Sequence, residues 1–230
     1  MRTEASSPSG RMALLTPVCP KAFPPHVAVE EFLPIPHIPM KQTKWASTVV
    51  LVDADYLDAV AADMIVNFGR MIGRPIPQAD LCHWLDCVAL DSGLQPGDNQ
   101  VQTLFLHTKE KVQLQNFVPS HFDAELDGKA FRDAVAEFTL QSFPVEEIVS
   151  GEEFFLQSLT ALADAKEVDK LVVVANMEAY GDRVKRVCVQ SEKKDIMLMT
   201  MQPLAGTGFR QEILGYSLMS AMGIESSELQ

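Results

Sequence analysis

Positions 48 to 52, Thr48-Val49-Val50-Leu51-Val52, are all β-branched or large and apolar. A strand can carry such a run only when both of its faces are buried, as in a parallel sheet covered by helices on either side. Leu171 to Ala175 and Ile196 to Met201 repeat the pattern. Val101 to His107 and Glu137 to Ser142, the latter closed by Pro144, read as two further strands. Between them the apolar spacing changes to three and four. Leu57, Val60, Ala61, Met64, Ile65, Phe68, Met71 and Ile72 form one helical stripe, ended by Gly73 and kept from resuming by Pro75 and Pro77. Helices are expected near Gln78 to Leu90, Glu152 to Ala165, Ala179 to Val189 and Phe209 to Met222. Lys109 to Phe117 reads as a short helix and Asp123 to Val135 as a helical or irregular stretch. Five apolar strands alternating with helices predict one three-layer α/β domain over about residues 44–224, with right-handed crossovers and a parallel five-stranded sheet in the order 3-2-1-4-5.

Residues 1–43 contrast with this domain. Eight of the fourteen prolines fall before Met40, and the charged residues there cancel, so a Pro-rich disordered leader is expected. Met40 reads as the biological start, and residues 225–230 as a tail. Across the whole chain, 47% hydrophobic and 22% charged residues exclude a disordered chain, and the net charge of −12 argues against nucleic-acid binding through general basicity. Cys19, Cys82, Cys87 and Cys188 lack the spacing of a zinc or redox motif and read as free thiols of a cytoplasmic protein. His83, His107 and His121 show no ligand spacing. No apolar run approaches the ~20 residues of a membrane helix.

Sites in parallel α/β sheets form outside the carboxyl ends of the strands. The first strand ends in Asp53, followed by Ala54, Asp55 and, one turn on, Asp58. Asp53 directly follows an apolar run, whereas Asp55 reads as a helix N-cap and Asp58 as a solvated first-turn acid. The third strand leads to Glu146, Glu147, Glu152 and Glu153, and the fourth to Asn176 and Glu178. With the order 3-2-1-4-5, Asp53, Asn176 and Glu178 share a cleft that Glu152 or Glu153 reaches from the following helix. Carboxylates so placed suit Mg²⁺ or Mn²⁺, which take oxygen ligands and keep several waters. Arg183 and Arg186, three apart on one helix face, are candidates to hold a phosphate-bearing substrate.

This pattern resembles the PIN-like nuclease fold, and within it the NYN branch. Those proteins hold divalent metal for RNA hydrolysis with an Asp at the end of strand one, acids on the helix before strand four and acids just after it. The resemblance implies that Asp53, Glu153 and Glu178 are catalytic, that Asp53, Asp55, Glu152 and Glu153 hold metal, and that Asn176, Arg183 and Arg186 meet RNA or a nucleotide. The third element departs, because Ala175-Asn176-Met177-Glu178 has no Asp. Val52-Asp53-Ala54-Asp55-Tyr56, Arg70-Met71-Ile72-Gly73-Arg74, Phe143-Pro144-Val145-Glu146-Glu147 and Phe209-Arg210-Gln211-Glu212-Ile213-Leu214-Gly215-Tyr216-Ser217 resemble a family of uncharacterised bacterial proteins, a domain of unknown function. Two other readings stand beside the metal-dependent ribonuclease. One is a catalytically degenerate PIN-like binding or regulatory module. The other is a haloacid-dehalogenase-type phosphatase, with Asp53 as nucleophile and Asp55 as acid/base. The wide apolar stripe and surplus methionines of the last helix add a homodimer as an expectation.

Overall fold

The computed structural model of the chain describes residues 44–146, 149–191 and 194–229. The expected leader and Glu147 lie outside the described residues.

In chain order the elements are β1 (Thr48–Asp53), α1 (Ala54–Ile72), β2 (Ala79–Asp80), α2 (Leu81–Asp91), β3 (Asn99–Thr108), β4 (Phe117–Val118), a π-helical turn (Phe122–Leu126), β5 (Lys129–Arg132) and β6 (Ala136–Val145). They continue with α3 (Gly151–Asp164), β7 (Lys170–Val174), α4 (Met177–Gln190), β8 (Asp195–Thr200), β9 (Arg210–Ile213), α5 (Leu214–Ala221) and a 3₁₀ turn (Ser226–Leu229). The main sheet runs β5-β6-β3-β1-β7-β8-β9. The five strands read from the sequence therefore lie side by side in the expected order. The sheet nevertheless has seven strands, not five. β5 pairs antiparallel with β6, and every other pairing in this sheet is parallel.

The apolar runs behave as their composition requires. Val49 through Val52 are each no more than 1% exposed. One face of the sheet presents Val50, Val52, Phe105, Phe138, Met197 and Met199 to a single core completed by α1, α2 and α5. The alternate side chains Val49, Leu51, Leu171 and Val173 are buried on the other face, where α3 and α4 lie. These two helices leave β6 and the start of β3 uncovered. There Gln100, Gln102, Thr139 and Gln141, with Trp45 at the edge, line an open polar cleft of about 660 Å³.

Several local expectations are corrected. Residues 210–213 form edge strand β9, not the first turn of a helix. Arg210 is tied to Asp195 at the foot of β8 and to the Ser92 carbonyl, and the Gln211 side chain bonds Leu204 on both its N–H and C=O. α5 is correspondingly short, with Leu214 and Leu218 buried and Tyr216 exposed. Lys109 to Phe117 is not helical. Leu114 and Phe117 plug the core, while the Leu114 N–H bonds the Ser120 carbonyl and the Asn116 carbonyl and β4 pair with β2. Asp58, expected as a solvated acid, is 6% exposed and accepts from the Asn116 backbone N–H at 2.9 Å, anchoring this loop to α1. The expected C-terminal tail is pinned by Glu228, whose carboxylate takes a two-pronged bond from Arg74.

Candidate functional site

Three helices begin where β1, β6 and β7 end, and each start is capped by a side chain from the sequence just before it. Asp53 Oδ1 accepts from the Tyr56 N–H at 3.0 Å, Ser150 Oγ from the Glu153 N–H at 3.2 Å, and Asn176 Oδ1 from the Ala179 N–H at 3.0 Å. Each such cap is worth about 1 kcal/mol to its helix. The N-cap of α1 is thus Asp53, not Asp55, and Asn176 has a structural duty of its own. Between these helix starts lies a cleft of about 310 Å³ lined by Asp53, Asp55, Tyr56, His107, Glu152 and Asn176 among others. The strand order brings Asp53, Asn176 and Glu152 together as expected, and Asp55 with them. Glu153, Glu178, Arg183 and Arg186 are not among the lining residues.

Asp53 is the most constrained of these groups. Its second oxygen, Oδ2, accepts from the Tyr180 hydroxyl at 2.5 Å. Tyr180 belongs to the first turn of α4, where the helix is broken at φ −135°, ψ 19°. The residue is 7% exposed and its ring packs against Phe155 with centroids 5.6 Å apart. Burial pushes the Asp53 carboxyl above its ordinary range, against the Tyr180 and Tyr56 hydrogen bonds that favour its charged form. Burial, followed by the charge of Asp53, pushes the Tyr180 phenol strongly up, so the phenol stays a donor. Tyr56 is also raised, by burial and then by Glu178 and Asp53.

The remaining acids are held by partners within the chain. Asp55 Oδ2 accepts from the Thr108 N–H at 3.0 Å and from its hydroxyl, and Lys111 Nζ lies 3.0 Å from Oδ1. Arg183 spans the two α3 acids, with one nitrogen 2.7 Å from Glu152 and the other 2.7 Å from Glu153. This guanidinium holds the Glu153 carboxyl below its usual range. Arg183 is therefore a tie between α3 and α4 rather than a free phosphate ligand. Arg186 is exposed on α4. His107 is 4% exposed, stacked on Phe122 at 3.8 Å, and its Nδ1 lies 3.0 Å from the Thr108 carbonyl oxygen. Burial lowers its pKa, which keeps the ring neutral. Among the described residues, no three of His, Cys, Asp and Glu are grouped so as to hold a metal ion.

Sequence reasoning missed Tyr180, Thr108, Lys111 and His107 as members of this arrangement. A signal did exist for the first. Two of the chain's three tyrosines, Tyr56 and Tyr180, stand in the opening turns of the helices that leave β1 and β7.

A model described as a family of unknown function, DUF6621, matches residues 42–229. The chain belongs to DUF6621. No curated protein and no solved structure matches it. The matched stretch of this DUF6621 chain takes in the whole seven-stranded sheet and all of the cleft-lining residues. Among its described residues no helix is long and apolar enough to cross a membrane.

Proposed function

We propose that this DUF6621 chain is a PIN-like domain acting as a non-catalytic binding module, whose acidic cleft accepts a basic group of a protein partner. The reading rests on the state of Asp53. Both of its oxygens already accept hydrogen bonds from within the chain, one at 3.0 Å capping α1 and the other at 2.5 Å holding Tyr180. Glu152 and Glu153 are engaged by Arg183, and Asp55 by Thr108 and Lys111. The cleft lining carries Asp53, Asp55 and Glu152 with no lysine or arginine among the described lining residues; Lys111 and Arg183 offset part of the charge of Asp55, Glu152 and Glu153, and the surplus of acid left favours a cation over a phosphate. The cytoplasm remains the proposed setting, supported by the free thiols Cys82, Cys87 and Cys188. A homodimer through α5 has Tyr216, 68% exposed, to offer as an anchor.

The second reading is the divalent-metal-dependent ribonuclease. One observation favours it: Asp53, Asp55 and Glu152 line the same cleft, and Asp55 helps raise the Asp53 carboxyl, a repulsion that a cation relieves. Mg²⁺ or Mn²⁺ is satisfied by one or two carboxylates plus waters. Bound there, the ion would supply charge for phosphodiester hydrolysis. Asp53 would be the central ligand, Asp55, Glu152, Glu153 and Glu178 its supports, and Asn176, Arg183 and Arg186 the residues nearest RNA or a nucleotide.

Two titrations of the full chain and its Asp53→Asn variant separate the readings. A short Lys/Arg peptide should shift the backbone amide resonances of Tyr56 and Thr108, whose N–H groups report directly on Asp53 and Asp55, and the variant should weaken that response. Calorimetry with Mn²⁺ and Mg²⁺ should give no saturable binding. One Mn²⁺ bound per chain and lost in Asp53→Asn, with no response to the peptide, would overturn the module and establish the metal site.

A further inference from the structure

A second group of chemically capable side chains lies on the seam between α2 and α5, and none of its members lines the acidic cleft. His83 and Cys87 are four residues apart on α2, so they stand one above the other on the same helix face. Ser220 projects from α5 against them. His83 Nε2 lies 2.9 Å from Ser220 Oγ, Cys87 Sγ lies 3.8 Å from His83 Nε2, and Cys87 Sγ lies 3.6 Å from Ser220 Oγ. A circle through three atoms at these separations has a radius of about 2.0 Å. That length matches a zinc–nitrogen bond, about 2.0–2.1 Å, and an ion about 0.8 Å out of the plane keeps that distance to Nε2 and Oγ while reaching the zinc–sulfur length of about 2.3 Å to Sγ.

We propose that His83, Cys87 and Ser220 form a surface binding site for a zinc-like, borderline-soft divalent cation, with the fourth coordination position open. Imidazole nitrogen and thiolate sulfur are the ligand pair that selects such an ion over Mg²⁺ or Ca²⁺. The site is reachable, since His83 and Ser220 are exposed and Cys87 is half-buried. It is also held rigidly from behind. Trp84, Leu85 and Val88 on α2 and Leu214 and Leu218 on α5 are fully buried in one core, so the spacing of the three donor atoms is set by helix packing.

Binding balances as a simple exchange. In the free site Cys87 is a thiol, its S–H donated to Ser220 Oγ. Coordination forms the metal–sulfur bond and releases that one proton to solvent, while Nε2 gives its lone pair and Nδ1 keeps the ring proton. Ser220 Oγ then turns from its bond with Nε2 to the ion or to a water on it. Cys82 is not part of the site: five residues before Cys87, it points about 140° away around a helix of 3.6 residues per turn.

The pair His83-x-x-x-Cys87 joins two residue types at helical spacing, which neither cysteine spacing nor histidine spacing shows alone. The test is a titration of the full chain with Co²⁺, followed by absorption, and with Zn²⁺, followed by calorimetry. One ion per chain should bind, with sulfur-to-cobalt charge-transfer absorption. Cys87→Ser and His83→Ala should abolish that band, Ser220→Ala should weaken binding about tenfold, and Cys82→Ser should leave it unchanged. His83 and Ser220 are surface residues whose replacement leaves the core intact, so these variants remain informative if Cys87→Ser fails to fold. Absence of saturable binding overturns the proposal. So does a band that survives His83→Ala, or one that disappears in Cys82→Ser.

Discussion

Replacing Tyr180 by Phe tests the arrangement around Asp53 with the removal of a single oxygen. The ring stays where it is, packed on Phe155 and 7% exposed, so no cavity larger than a hydroxyl opens. What disappears is the 2.5 Å hydrogen bond to Asp53 Oδ2, made to a carboxylate that is itself largely buried. A hydrogen bond to a charged group contributes about 1.5–3 kcal/mol, and a loss in that range is expected for Tyr180→Phe at pH 8. The pH dependence is the sharper signature. Asp53 already has a raised pKa in the folded chain, so folding loses stability as pH rises from the ordinary Asp value through that raised one. The Tyr180 hydroxyl lowers the Asp53 value, so its removal raises that value further and makes the loss steeper. The difference between wild type and variant should therefore be large at pH 8 and shrink towards pH 4, where a protonated Asp53 no longer needs the donor. Urea unfolding followed by circular dichroism at the two pH values measures it. A penalty below about 0.5 kcal/mol at pH 8, or one equal at both pH values, would refute the argument.

Three further outcomes are expected. Asp86 on α2 is raised to about 7, by burial first and then by Asp133, so its cost to stability sets in as pH rises from about 4 and is complete above 7. Asp86→Asn should flatten that part of the stability–pH curve and gain roughly 1–2 kcal/mol above pH 7 once solvent screening is discounted, as read from thermal melts across pH. Arg183→Ala breaks two exposed ion pairs, so it should cost less than about 1 kcal/mol, while the Glu153 carboxyl returns upward to its ordinary titration range, measurable by side-chain NMR. Gly73 ends α1 with φ 77°, and the space a Cβ would occupy there is open. Gly73→Ala should therefore cost about 1 kcal/mol through the backbone alone, seen as a lower urea midpoint with unchanged slope.

The parts of this fold legible in the sequence are those whose residues leave no alternative. A run such as Val49 to Val52 has to be buried on both sides, and five such runs separated by amphipathic helices leave few topologies. Asp53 was legible for the same reason, as the first polar residue after such a run. β5 and β9 were not, because Lys129 to Arg132 and Arg210 to Ile213 carry no pattern of their own. They are strands because β6 and β8 offer an edge and because Asp195 and Ser92 hold Arg210 in place. The stripe Phe209, Ile213, Tyr216 imitates a helix although its first part is extended. At the site, Arg183 and Arg186 share a helix face as the spacing requires. The partners of Arg183 lie some 30 residues away on α3, and Tyr180 reaches Asp53 across 127 residues of chain. Local spacing carries no information about such closures.

The face of β6 that α3 and α4 leave open has a consequence for how a chain of this kind can change. At Val50 or Phe138 any replacement is judged first by whether the protein still folds, since each is no more than 1% exposed. At Thr139, whose neighbours Phe138 and Leu140 point to the opposite face and keep the strand anchored, folding exercises almost no veto, whereas Gln141 is bound to the buried Gln102 amide at 2.8 Å. A library randomised at the exposed positions Gln100 and Thr139 should therefore return mostly folded variants differing in what they touch. In the same molecule that carries a tightly committed acidic cleft, this polar floor is the region with freedom to acquire a new specificity.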